Sequence, residues 1–149
     1  MTDGARLPLQ PALEFLQSLW RLNHAIERAS ARMEASLGVT AQQRFILRCV
    51  GRYPGITAGQ LATLLEVDRG TVSAALNRLE RKHLLTRRAD PRDRRRVALG
   101  LTAKGHAVNR SDEGTVEDAV NRLLAEVPPE RIEATRATLD ELSARVSAR

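Results

Sequence analysis

A single cysteine, Cys49, stands in 149 residues. No disulfide can form within the chain, and no Cys/His cluster has the spacing of a zinc site. Aromatic residues make up 3% of the chain, so the core must be built from Leu, Val, Ile and Ala, a mixture that favours helices. No apolar run approaches the roughly 20 residues of a membrane span. The opening MTDGARLPLQ has no charged segment leading into an apolar one, as a secretory signal would, so the expected location is the cytoplasm. A Gly-rich phosphate loop, a Ser/His/Asp set in recognisable context and paired metal ligands are also missing. The chain does not read as an enzyme, and it calls for no cofactor and no metal.

What is abundant is positive charge, and it is segregated. Residues 1–36 hold four basic and four acidic groups, residues 37–105 fourteen and five, residues 106–149 six and nine. A basic middle between neutral and acidic ends is the footprint of a polyanion-binding segment whose flanks have another task. The division expected is an N-terminal helix over 1–36, a polyanion-binding region over 37–105 and C-terminal helices over 106–149, in one integrated domain.

Apolar periodicity predicts a helix from Leu9 to Leu37, stopped by Gly38. Thr40 with Gln43 and Thr57 with Gln60 have the spacing of capping boxes, each opening a helix. Asp68 is a suitable N-cap for a further helix over about Arg69 to His83. The period then changes from helix to strand. Val97, Leu99 and Leu101 alternate with smaller residues, Leu84, Leu85 and Thr86 supply a partner strand, and Asp90-Pro91-Arg92-Asp93 has turn chemistry. Six arginines between Arg87 and Arg96 would load the tip of this hairpin. Thr102 caps one more helix carrying Val116, Ala119, Val120, Leu123 and Leu124, with Gly105 and Gly114 weakening its first part. After Pro128-Pro129 a last helix carries Ile132, Thr135, Leu139, Leu142 and Val146 at heptad spacing. The fold class is therefore mainly α with a small β-hairpin wing, a winged helix-turn-helix whose second helix suits the DNA major groove.

On that second helix, Val72, Ala75, Leu76 and Leu79 share one face at 100° per residue. Gly70, Ser73, Ala74, Asn77 and Arg81 point the other way, with Thr71 and Arg78 on a flank. Small residues let the helix axis approach the groove floor. Arg matches guanine and Asn matches adenine in bidentate fashion, while Thr71 and Ser73 suit phosphate or base contacts. The hairpin arginines suit phosphates and a narrow minor groove. Asp93 is expected to hold the Arg95 side chain by a charge-assisted bond.

The stretch from Leu61 to Gly105 resembles the MarR family of bacterial transcription regulators. The matching residues are Val67-Asp-Arg-Gly-Thr-Val-Ser73, Leu79-Glu80, Arg88, Asp90-Pro91, Asp93-Arg-Arg95, and Leu101-Thr102 with Gly105. One departure is Lys82-His83, where the family often has glycine, so His83 is expected in a left-handed conformation. The resemblance implies a homodimer with interlocked terminal helices on a pseudo-palindromic double-stranded DNA operator. It also implies repression relieved by a small aromatic or lipophilic effector, and association with the nucleoid when operator-bound.

The DNA-binding candidates are Arg69, Thr71, Ser73, Asn77, Arg78, Arg81, Arg88, Asp93, Arg94, Arg95 and Arg96. Trp20, Asn23 and His24 are candidates for an effector pocket, and Leu13, Leu16, Ile132, Leu139, Leu142 and Val146 for the dimer interface. The competing classes are a winged helix used for protein docking, which would call for an outward apolar patch in place of arginines, and an oxidant sensor acting through Cys49. Cys49 reads more simply as a small buried hydrophobe. His24, His83 and His106 are too scattered for a metal sensor.

Overall fold

The computed structural model describes residues 7–148. They form two compact units, the first ending at Ser111 and the second beginning at Asp112. No helix among them is long and apolar enough to cross a membrane.

The first unit begins with α1 (Pro11–Leu37), closed by Gly38 at φ 77°. Only its last turns pack: Met33 is buried, and Ser30 Oγ accepts the Ala41 N–H at 2.9 Å. Leu13, Phe15, Leu16, Trp20, Leu22 and Ile26 are exposed along the rest. Both expected capping boxes are present. Thr40 and Gln43 open α2 (Ala41–Arg52), and Thr57 and Gln60 open α3 (Ala58–Leu65). Each satisfies two backbone donors that the start of a helix leaves without partners.

A turn through Glu66 leads to α4 (Arg69–Arg81), which ends two residues before the expected His83. His83 itself is left-handed, at φ 58°. That conformation turns the chain sharply into β1 (Leu85–Ala89). The strand runs further than expected, so Arg87 and Arg88 lie within it, while Arg92, Arg94, Arg95 and Arg96 remain for the tip. β2 (Val97–Leu101) returns antiparallel, with Leu85 opposite Leu101 and Arg87 opposite Leu99. Gly55 and Ile56 bond both backbone groups of Leu99, at 3.0 and 2.9 Å, and so close the free edge of β2.

The core lies where α2, α3, α4 and the hairpin meet, and includes Ile46, Leu47, Val50, Leu61, Leu76, Leu79, Leu84 and Leu99. Burying such side chains contributes about 1.5–3 kcal/mol each. It fixes the outward face of α4 by exclusion, since Val72, Ala75, Leu76 and Leu79 are all buried.

The helix expected from Thr102 onward is two helices. Thr102 caps α5 (Ala103–Asn109), and a break follows with Gly114 at φ 75°. Thr115 then accepts the Asp118 N–H and caps α6 (Val116–Glu126) in the second unit. A new cap six residues after the end of α5 is a restart signal that the apolar periodicity conceals. Gly105, expected to weaken the helix, is instead buried inside α5. The second unit ends with α7 (Pro129–Ser147). On its heptad seam Ile132, Leu139 and Leu142 are half-buried, and Thr135 and Val146 are exposed.

Candidate nucleic-acid interface

The site begins with the cap of α4. Asp68 accepts the Thr71 N–H at 2.8 Å and the Thr71 hydroxyl at 2.5 Å. These bonds, the hydroxyl's first, hold the Asp68 carboxyl below its usual range. The Thr71 hydroxyl proton is thus directed at Asp68, and toward an outside ligand this oxygen is an acceptor. Ser73, Asn77, Arg78 and Arg81 are exposed, as the helical period requires. Arg81 Nε lies back along the helix on the Asn77 carbonyl at 3.3 Å.

The wing tip is organised by aspartates bonding backbone. Asp90 Oδ1 accepts the Arg92 N–H at 2.9 Å, and Asp93 Oδ1 accepts the Arg95 N–H at 3.0 Å. Across the tip, Asp90 N–H donates to the Arg96 carbonyl at 2.8 Å. The expected pairing of Asp93 with the Arg95 guanidinium is therefore corrected: Asp93 holds the Arg95 main chain. An aspartate two residues before an N–H makes an Asx turn, which needs no rotamer of the arginine. At the tip Arg96 meets a carboxylate, with Nε 3.9 Å from Asp90 Oδ2, and its Nη2 donates to Gln60 Oε1 at 3.1 Å. Arg88, Arg94 and Arg95 are exposed.

The fold brings Arg69, Ser73, Asp93, Arg95 and Arg96 to one cleft of about 500 Å3, between the start of α3, α4 and the wing. Thr71, Asn77, Arg78, Arg81, Arg88 and Arg94 lie outside it. Arg69 lies over Gly59, whose missing side chain makes room: a Cβ there would be 3.4 Å from Arg69 Nη2. Arg87 also lines the cleft and was not singled out from the sequence. Strand alternation contained the signal, because Arg87 is two residues from Leu85 and shares its face.

Among the effector candidates, Asn23 donates to Glu27 at 3.1 Å and His24 Nδ1 is 4.0 Å from Glu27, both on the exposed surface of α1, where Trp20 is also exposed. His24 lines a shallow depression made by α1 alone. A cavity of about 570 Å3 lies elsewhere, between α2, β2 and α5, lined by Arg48, Cys49, Arg52, Tyr53, Leu101, His106 and Arg110 among others. The Arg52 guanidinium sits over the Tyr53 ring at 5.7 Å. Cys49 is half-buried and packs against the core. Its neighbours there come from α5, some fifty residues on, which no local pattern reveals. Of the dimer candidates, Leu13 and Leu16 are 50% and 47% exposed.

Residues 39–97 match the model of the MarR family. The "Putative transcriptional regulatory protein for hcr operon" of Thauera aromatica is 34% identical over 103 residues, 68% of this chain and 59% of that one. The transcriptional repressor MdtR of Bacillus subtilis is 34% identical over 68 residues, 46% of this chain and 44% of that one. The chain thus spans about half the length of these two relatives. FabT of Streptococcus pneumoniae, solved in complex with DNA, is 26% identical over 91% of this chain and 94% of its own, with a TM-score of 0.64. The hairpin-bearing helical architecture, the motif from Val67 to Gly105 and the matched segment place this chain in the MarR family.

Proposed function

We propose that this chain is a sequence-specific, double-stranded DNA-binding transcriptional regulator, acting as a homodimer on a pseudo-palindromic operator in the cytoplasm. The observation that carries the reading is the shared cleft: Arg69 and Ser73 of α4 and the wing residues Arg87, Arg95 and Arg96 line one surface. A helix of this kind enters the major groove while a basic wing follows the backbone. The repressor MdtR and the FabT–DNA complex support the same reading. The exposed apolar stripe of α1 supports the homodimer, because a second copy would cover it in a closed, symmetric contact.

Release by a small molecule is part of this proposal. The cavity between α2, β2 and α5 suits a small aromatic acid better than the surface around Trp20, Asn23 and His24, because it combines Arg48, Arg52 and Arg110 with the Tyr53 ring. The test is a gel shift with duplexes from upstream of the gene, against scrambled duplexes, at about 150 mM salt. Regulators of this class are expected to prefer their site by roughly a thousandfold or more. Equal affinity for every sequence would leave only a nonspecific polyanion binder.

A further inference from the structure

Leu85 and Arg87 leave the same face of β1. Leu85 enters the core, so Arg87 lies over α4, opposite buried Leu99 in the strand register. Its guanidinium reaches two α4 residues about one turn apart. Nη2 donates to Asn77 Oδ1 at 3.0 Å, and Nε stands 3.7 Å from Glu80 Oε2. A guanidinium carries only donors, so the Asn77 carboxamide must turn its oxygen toward the strand. The amide Nδ2 is the end left free of the guanidinium, on a residue exposed on α4.

An asparagine with both ends available offers one acceptor and one donor, which matches adenine N6 and N7. Asn77 presents donors. Guanine O6 and N7 both accept, whereas the adenine N6 amino group is itself a donor and opposes the amide. We propose that Arg87 is a positioning residue that makes Asn77 a donor-only reader, selecting guanine over adenine at the base pair beneath it. This rests on the DNA-binding reading above and adds to it a direction of base preference.

The test uses the full chain and a randomised duplex library, followed by affinity for all four bases at each position of the selected site. Asn77→Ala is expected to flatten preference at one position, which identifies it. Arg87→Met keeps the aliphatic stem and loses the donors. It should reduce the guanine-to-adenine preference at that position roughly tenfold, or invert it, and leave the other positions unchanged. Arg87→Lys, which still donates to Oδ1, should retain the preference for guanine. Glu80→Gln loosens the guanidinium without touching the strand and should give a smaller change in the same direction. In an Asn77→Ala background, Arg87→Met should alter no base preference. Wild-type selection of adenine at the Asn77 position, or an Arg87→Met variant that weakens every sequence by one factor, overturns the proposal. A library that the wild type does not sort at all overturns the regulator reading itself, and the proposal with it.

Discussion

The carbonyl oxygen of Leu84 occupies the place where a side chain on Gly105 would begin. The first turn of α5 therefore sits directly on the backbone that leads into β1, and Thr102 N–H bonds the same carbonyl at 3.1 Å. Gly105→Ala is expected to destabilise the fold by roughly 2–4 kcal/mol, since helix propensity alone would favour alanine and only the clash opposes it. Denaturant unfolding measures this. An unchanged midpoint would mean that α5 moves away without cost.

Asp68 gives a pH dependence with a defined sign. Its carboxyl titrates below the usual carboxylate range, chiefly through the Thr71 hydroxyl and then the Thr71 N–H. A folded value below the unfolded one stabilises fully above the unfolded value, about 3.9, and the contribution is lost as pH falls through the folded value. The melting temperature of the wild type should exceed that of Asp68→Asn near neutral pH, and the gap should narrow as the pH falls below about 4. Thr71→Val should raise the Asp68 titration midpoint measured by NMR. A gap independent of pH would reduce Asp68 to a cap whose charge is irrelevant.

Asp93 and Arg95 separate an ordered wing from a diffuse one. Asp93→Ala should weaken operator binding by about 1 kcal/mol, although it increases net positive charge, because the Asx turn is lost. Asp93→Asn should bind nearly as well as wild type, since an amide oxygen still accepts the Arg95 N–H. Arg95→Ala should flatten the dependence of log affinity on log salt by about one unit. Fluorescence anisotropy titrations measure all three. Tighter binding by Asp93→Ala would make the wing a purely electrostatic loop.

The α1 stripe predicts the assembly. Wild type should sediment at twice the chain mass of 16.5 kDa. Leu13→Glu with Leu16→Glu should shift it toward monomer and weaken DNA binding at least tenfold, because two half-sites then bind without linkage. A dimer untouched by both charges would place the contact elsewhere.

What the sequence disclosed was local. The two capping boxes, the Asp68 cap and the left-handed His83 depend on residues within four positions of one another, where side-chain chemistry fixes backbone directly. The buried face of α4 followed from its period. The restart at Thr115 escaped because apolar spacing runs through it. The Arg87–Asn77 bond and the cavity walls from α2 and α5 escaped for another reason: each joins segments that only tertiary packing brings together. The Asp93 bond was assigned to the right residue pair and the wrong atoms, since spacing alone does not distinguish a main-chain N–H from a guanidinium.

Lys82 sits where α4 ends, and its ammonium donates to the Gly38 carbonyl and to Gln43 Oε1, each at 2.9 Å, with Glu34 at 3.8 Å. One side chain thus clamps the end of α4 to the corner between α1 and α2. Sliding or swivelling α4 against that corner strains two charge-assisted bonds, which are stronger than neutral ones. The long first helix therefore behaves as a handle: whatever grips its apolar stripe also sets the attitude of the surface that carries Ser73 and Asn77.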